Sequence, residues 1–289
     1  MHTNRRLPAP PLRLAVLALV GVVLALAPGC ERSSRDAEAF TSAGVTHLQM
    51  QEYDRAIRDF DRALALQPGL VVAWRNRALA NRGKRDYERA LGDYEQAMVF
   101  APNDARLLTD RGATYVLLGD YPKAVRDFDR AISLRPDLAP AIEQRGRVHF
   151  YLGNFAQSAA DLQRGLTLDS ADAYGTLWLH LVRQRLRQDD SQDFATHAAF
   201  VDTTRWPAPV VQYFAGRLGA DSLRALTVAP APGEHGQRCV AFYLGQVALL
   251  KGELTSAQSM FEETRSSCPS ELSEHKGASA ELQRLRAAD

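Results

Sequence analysis

Few residues in this 289-residue sequence have the types and spacing to do chemistry. Ser273-Glu-His-Lys276 sets a hydroxyl and an amine three residues apart, a spacing at which a lysine can take a serine proton. The Ser-Asp-Asn and Lys-Thr-Gly elements that complete such a site are missing, so the match reads as coincidence. The seven histidines are scattered, with no His-Glu-x-x-His and no clustered ligands, so neither metal nor cofactor is expected. Cys30, Cys239 and Cys268 show no Cys-x-x-Cys spacing. Asp189, Asp190 and Asp193 read as a solvated loop. Lys+Arg total 35 against 34 Asp+Glu, so no global field draws the chain to nucleic acid. No enzyme is expected, and the residues to position are binding residues.

The N-terminus sets the compartment. Arg5, Arg6 and Arg13 precede an apolar run, Leu14 to Ala27, too short for a comfortable transmembrane helix of about 20 residues. A basic start, a short apolar stretch and small residues before a break predict a secretory signal over 1–29. Two readings follow: an ordinary cleaved signal leaving a free cysteine, or a lipoprotein in which Cys30 becomes the acylated first residue. Leu26, Gly29 and Cys30 resemble a lipobox, although Pro28 is an unusual neighbour. The lipoprotein reading implies an exported, periplasmic protein held by several acyl chains, with 30–36 as a tether. Glu31 after the cysteine favours the outer membrane.

The elements repeat. In rows of 34 starting at Ala37, Val71, Ala105 and Ala139, the eighth column reads Gly44, Ala78, Gly112, Gly146. The twenty-fourth reads Phe60, Tyr94, Phe128, Leu162, and the thirty-second Pro68, Pro102, Pro136, Ser170. A further row starts at Arg238, with Gly245, Phe261 and Pro269 in those columns. Small residues let two helices approach, an aromatic fills between them, and proline ends the second helix. These columns resemble the tetratricopeptide repeat (TPR). The resemblance implies an all-α, right-handed solenoid of antiparallel helix pairs whose first helices form the concave wall. Four repeats are expected over 37–172, a divergent helical segment over 173–237, a fifth repeat over 238–270, and a capping helix over 271–289. Helices are expected at 173–187, 191–201, from Trp206, and at 220–227, then a Pro/Gly loop over 228–237.

Cys239 and Cys268 fall at columns 2 and 31 of the last repeat, neighbours in an antiparallel pair. An exported chain permits a disulfide there, contributing roughly 3–4 kcal/mol by chain entropy. Column 7 carries Arg77, Arg111 and Arg145, and column 23 carries Asp59, Asp93, Asp127 and Asp161. Structural ion pairs are expected across repeats, as Asp59–Arg77, Asp93–Arg111 and Asp127–Arg145, with the intra-repeat set as rival. The concave columns supply Arg75, Arg82, Arg106 and Arg147, with Leu79, Val116, Phe150 and Tyr151 among the apolar residues between them. This pattern predicts a basic groove for a peptide carrying carboxylates.

A narrower resemblance rests on Leu177-Trp-Leu-His-Leu181, Trp206-Pro-Ala-Pro-Val-Val-Gln-Tyr-Phe-Ala-Gly216, Ala241-Phe-Tyr-Leu-Gly245 and Glu274-His275 following the repeats. It is similar to the NlpI-type TPR lipoproteins of Gram-negative bacteria. That resemblance implies an outer-membrane-anchored scaffold, homodimeric, that binds peptidoglycan hydrolases and a processing protease. Two alternatives are a lipoprotein component of outer-membrane protein assembly and a cell-wall enzyme using Ser273.

Overall fold

A helix pair closes only as tightly as its smallest facing residues allow, and the column-8 residues set that limit. In this computed structural model, which describes residues 28–227 and 239–288, four hairpins follow one another. They are α1 (Pro28–Gln49) with α2 (Tyr53–Leu66), α3 (Val71–Gly83) with α4 (Tyr87–Phe100), α5 (Ala105–Leu118) with α6 (Tyr121–Leu134), and α7 (Ala139–Tyr151) with α8 (Phe155–Leu168). A Cβ on Gly44 would lie 2.6 Å from the Phe60 ring, and one on Gly112 would lie 2.8 Å from Phe128. Both rings are fully buried. The turn between the helices of each hairpin needs one residue at positive φ. Gln51, Arg85, Gly119 and Gly153 all occupy that column, at φ of 60, 64, 78 and 79°. Asp86 and Asp120 then cap α4 and α6, accepting from the Arg89 and Lys123 amides.

The signal run and the 228–237 loop lie outside the described residues, as does the Cys30 side chain. Residues 30–36, expected as a tether, belong to α1 and continue without a break into the first repeat. No described helix is long and apolar enough to cross a membrane.

Beyond α8 the repeat frame persists for one more helix. α9 (Ala173–Arg185) is followed by Arg187 at φ 54°, the same turn signature in the same register. The frame is then lost in three short helices, α10 (Ser191–Ala198), α11 (Ala208–Phe214) and α12 (Ala220–Ala225). α13 (Val240–Leu250) and α14 (Leu254–Ser267) restore it, with Gly245 against Phe261 and Gly252 at φ 78°. The Cys239–Cys268 disulfide ties the start of α13 to the end of α14, with Cα atoms 4.8 Å apart.

The final helix, α15 (Ser273–Ala288), covers the last pair as a capping helix should, and it reaches further than the end of the array. It turns back and packs against α7 as well as α13 and α14. Its Glu281 is 1% exposed. Glu281 accepts from Arg185 at 2.9 Å, Arg284 at 3.1 Å and Gln246 at 3.1 Å, joining α9, α13 and α15. Gly277 lies against Phe242 and Trp178, where a Cβ would come within 3.0 Å of both rings.

The ion pairs also correct the sequence reading. Arg77 binds Asp93, Arg111 binds Asp127 and Arg145 binds Asp161, each within one repeat at 2.6–2.7 Å. Column 23 directly precedes the column-24 aromatic, which packs on column 8 of its own first helix. Column 7 is next to column 8, so the charges meet beside the same contact. Asp59 therefore does not reach Arg77; its first helix lacks the arginine, and His47 Nδ1 lies 2.8 Å from it instead. The cross-repeat partner is column 25: Arg77 also binds Asp61, and Arg145 binds Asp129.

Asp93, Asp127 and Asp161 are buried and their arginines mostly so, so removing one partner strands the other. Asp127→Ala and Arg111→Ala should each lower unfolding stability by about 2–3 kcal/mol. The double variant should cost less than their sum by at least ~1 kcal/mol. Urea titration of the four proteins checks this, and additive losses would contradict it. A second expectation concerns Glu143, whose Cγ sits 2.9 Å from where a Cβ on Gly165 would be. Burial, then the Asp172 and Asp169 charges, push its carboxyl up to about 7. A folded state that holds this proton more tightly loses stability as pH rises from about 4.5 through 7. Glu143→Gln should therefore gain on the parent by about 1 kcal/mol between pH 5 and pH 8, after discounting for solvent screening. Parallel unfolding midpoints at the two pH values would overturn the assignment.

Candidate peptide-binding groove

The first helices of the hairpins form the inner wall because they touch one another along the array: α1 meets α3, α5 meets α7, and α7 meets α9. Two cavities lie on this wall. One, about 640 Å³, is bordered by Leu48, Tyr53, Leu79, Arg82, Tyr87 and Leu117. The other, about 280 Å³, continues from Arg82 and Leu117 to Arg147, Tyr151, Ser273 and Lys276. Both are bordered by Glu271, so together they make one trench from repeat 1 to the tail.

The residues expected in the groove divide into three sets. Leu79, Arg82, Val116, Arg147 and Tyr151 do line the trench. Arg75 is committed elsewhere, its Nε donating to Asp110 of the next repeat at 2.6 Å. Arg106 is exposed at the start of α5 and borders neither cavity. Phe150 is a correction: it is fully buried in the core, 4.8 Å from Trp178 ring to ring. It cannot serve as a surface anchor, because α9 and α15 cover it. Tyr151 is nearly buried for the same reason, leaving one edge to the cavity.

Sequence reasoning missed the tail's contribution. Residues 269–276 cross the trench, and Glu271 forms an ion pair with Arg85 of repeat 2. Tyr151 Oη donates to the Ser273 carbonyl at 3.3 Å, and Arg284 Nη1 donates to the carbonyls of Phe150 and Tyr151 at 3.2 Å. Lys276 Nζ donates to the carbonyls of Ser270 and Glu271 at 2.7 and 2.8 Å. Burial pushes this ammonium down to about 8. The Ser-x-x-Lys pair is thus part of a backbone-capping arrangement at the helix start. Glu274 is fully buried, accepts from Tyr243 Oη at 2.8 Å, and is raised by burial. A signal was available: Glu274 and Glu281 lie seven apart on one face of α15 with Gly277 and Ala278 between them. Carboxylates flanking small residues mark a face that docks closely and needs donors opposite.

Among the described residues no group of His, Cys, Asp and Glu is placed to hold a metal ion. Arg82 and Arg147 make neither an ion pair nor a side-chain hydrogen bond among the described residues. Arg147 lies near Glu143 and Glu274, the two carboxyls that burial pushes toward their neutral forms. The trench therefore presents uncommitted positive charge beside apolar side chains. That combination suits an acidic or carboxylate-bearing peptide.

Comparison with known proteins agrees with this architecture. Residues 41–106 and 80–141 match two tetratricopeptide repeat models. PilF of Pseudomonas aeruginosa is similar at 17% identity and a TM-score of 0.55, over 90% of this chain and all of that one. PilW, a type IV pilus biogenesis factor, is similar at 18% identity and a TM-score of 0.54, over 80% of this chain and 92% of its own. YrrB, a TPR protein with an unusual peptide-binding site, is similar at 17% identity and a TM-score of 0.50, over 66% of this chain and 96% of its own. Residues 41–141 match tetratricopeptide repeats, which are generally protein-interaction scaffolds, and the described chain is all-α with hairpins of that type on both sides of three short helices.

Proposed function

We propose that this protein is a non-enzymatic adaptor of the bacterial envelope, exported and held to the outer membrane through acylated Cys30. Its task is to recruit cell-envelope proteins, peptidoglycan hydrolases and their processing protease foremost, through the concave trench. The observation that carries the binding reading is the trench itself. Arg82 and Arg147 stand there without an ion pair among the described residues, flanked by Leu48, Leu79 and Leu117. The disulfide supports an oxidising compartment, since such bonds persist outside the cytosol. The sequence around Leu26–Cys30 supports the anchor, and the order of motifs after the repeats supports the NlpI-type assignment.

Crosslinked capture from membranes tests the partner. Endopeptidases and a protease should be recovered with the parent. Recovery should fall at least tenfold with Arg82→Glu combined with Arg147→Glu. Undiminished capture would remove the trench from the reading, and recovery of barrel-assembly proteins instead would select the assembly alternative. Cys30→Ser should move the protein from the membrane fraction to the soluble periplasmic fraction. Retention in the membrane would overturn the lipid anchor.

A further inference from the structure

We propose that the cavity between α9, α10 and α11 is a second site, which binds a small zwitterion with an aromatic body: a free amino acid whose ring carries a hydroxyl. None of the described residues lining this cavity borders the trench, so the inference stands apart from the function proposed above.

The site begins with one residue that departs from the repeat. Column 8 holds Gly44, Ala78, Gly112 and Gly146, and a row starting at Ala173 puts His180 there. That column sits beneath a ring of the second helix, where even a Cβ on Gly112 would press on Phe128. An imidazole is too large for the same packing. Two short helices, α10 and α11, therefore pack against α9 in place of one long one. They leave a cavity of about 300 Å³, at the small end of the range for ligand sites. Phe194 and Phe214 border it and approach the imidazole at 4.4 and 4.9 Å between ring centroids. With Ala195 and Ala198 they make its apolar lining.

The polar groups around that lining decide the ligand. Asp190, expected in a solvated loop, is instead buried, its side chain 3% exposed. Its Oδ2 lies 2.8 Å from His180 Nδ1, and its Oδ1 accepts from Gln184 Nε2 at 3.2 Å. A carboxylate only accepts, so Nδ1 carries the ring proton and Nε2 of the neutral imidazole is left as an acceptor. Among the described residues nothing donates to Nε2, and the side chain is 12% exposed. An acceptor so nearly withdrawn from water needs a donor, and a ligand hydroxyl supplies one. Arg217 and Asp189 border the same cavity, and both are exposed. The Arg217 guanidinium makes no ion pair or hydrogen bond among the described residues. Asp189 accepts from the Ser191 amide at 3.1 Å and makes no ion pair among them either. One open cation and one open anion at the exposed side match an α-carboxylate and an α-ammonium. The aromatic body then lies between Phe194 and Phe214, with its hydroxyl toward His180.

The test titrates the full chain in detergent with free tyrosine, phenylalanine, hydroxyphenylpropionate and tyramine, read by saturation-transfer NMR. The last three each lack one contact: the hydroxyl, the ammonium or the carboxylate. Tyrosine should bind about fivefold tighter than each of them, or more. Arg217→Gln should weaken tyrosine by about the same factor and leave tyramine unchanged. Asp189→Asn should weaken tyrosine and leave hydroxyphenylpropionate unchanged. Both side chains are exposed, so neither change threatens the fold, and the four-ligand comparison on the parent needs no variant. No saturable binding of any of the four at millimolar concentration would overturn the site. Four equal affinities, or tyrosine binding indifferent to both substitutions, would overturn its ligand assignment.

Discussion

A single buried carboxylate, Glu281, governs the shape of the trench. A charge this deep is tolerated only when donors surround it, and here Arg185, Arg284 and Gln246 do so from three helices. That cluster fixes α15 against α9 and α13 rather than leaving it as an outer lid. Once α15 is held there, Ser273 and Lys276 follow into the concave side and border the trench. Loss of Glu281 would leave two arginines facing each other across the core. The same carboxylate therefore supports the fold and the form of the site.

The repeat array uses a similar economy on a smaller scale. The second and third hairpins place a small residue beneath a ring, then an arginine and an aspartate beside that contact, and the fourth keeps the charges beside Leu162. Arg77 and Arg145 reach back as well, to Asp61 and Asp129 of the preceding repeat. One guanidinium thus spans the helix pair and the junction between pairs. A bidentate fork can do this where a point-charge ammonium cannot. Stiffness along the array comes from these bridges together with the apolar stacking, so the trench wall is set before a ligand arrives.

Much of this was legible in the residues because a 34-residue period is imposed by hard geometry. Gly44 beneath Phe60, and proline after each of the first three second helices, leave marks that chance does not reproduce at so fixed a spacing. The disulfide was legible for the same reason, since antiparallel helices bring columns 2 and 31 together. The direction of the ion pairs was not, because column 7 and column 23 lie at nearly the same separation within a repeat (Arg77 to Asp93) as between repeats (Asp93 to Arg111). Only the adjacency of Asp93 to Tyr94, and of Arg77 to Ala78, decides between them. Phe150 was misplaced because the column rule assumes an open wall, whereas α9 and α15 bury it. The return of α15 was hidden in a pattern that looks merely charged: a glutamate, two small residues and another glutamate on one helical face.

The covalent link between Cys239 and Cys268 has a consequence for when the surface comes into being. Cys268 is the residue immediately before the segment that crosses the trench, so the bond anchors the root of that barrier. In a thiol-rich interior the repeats can already stack, yet the barrier hangs from side-chain contacts alone. Oxidation fastens it. Making or breaking that one bond would then change how firmly the tail borders the trench while leaving the stacked repeats as they are.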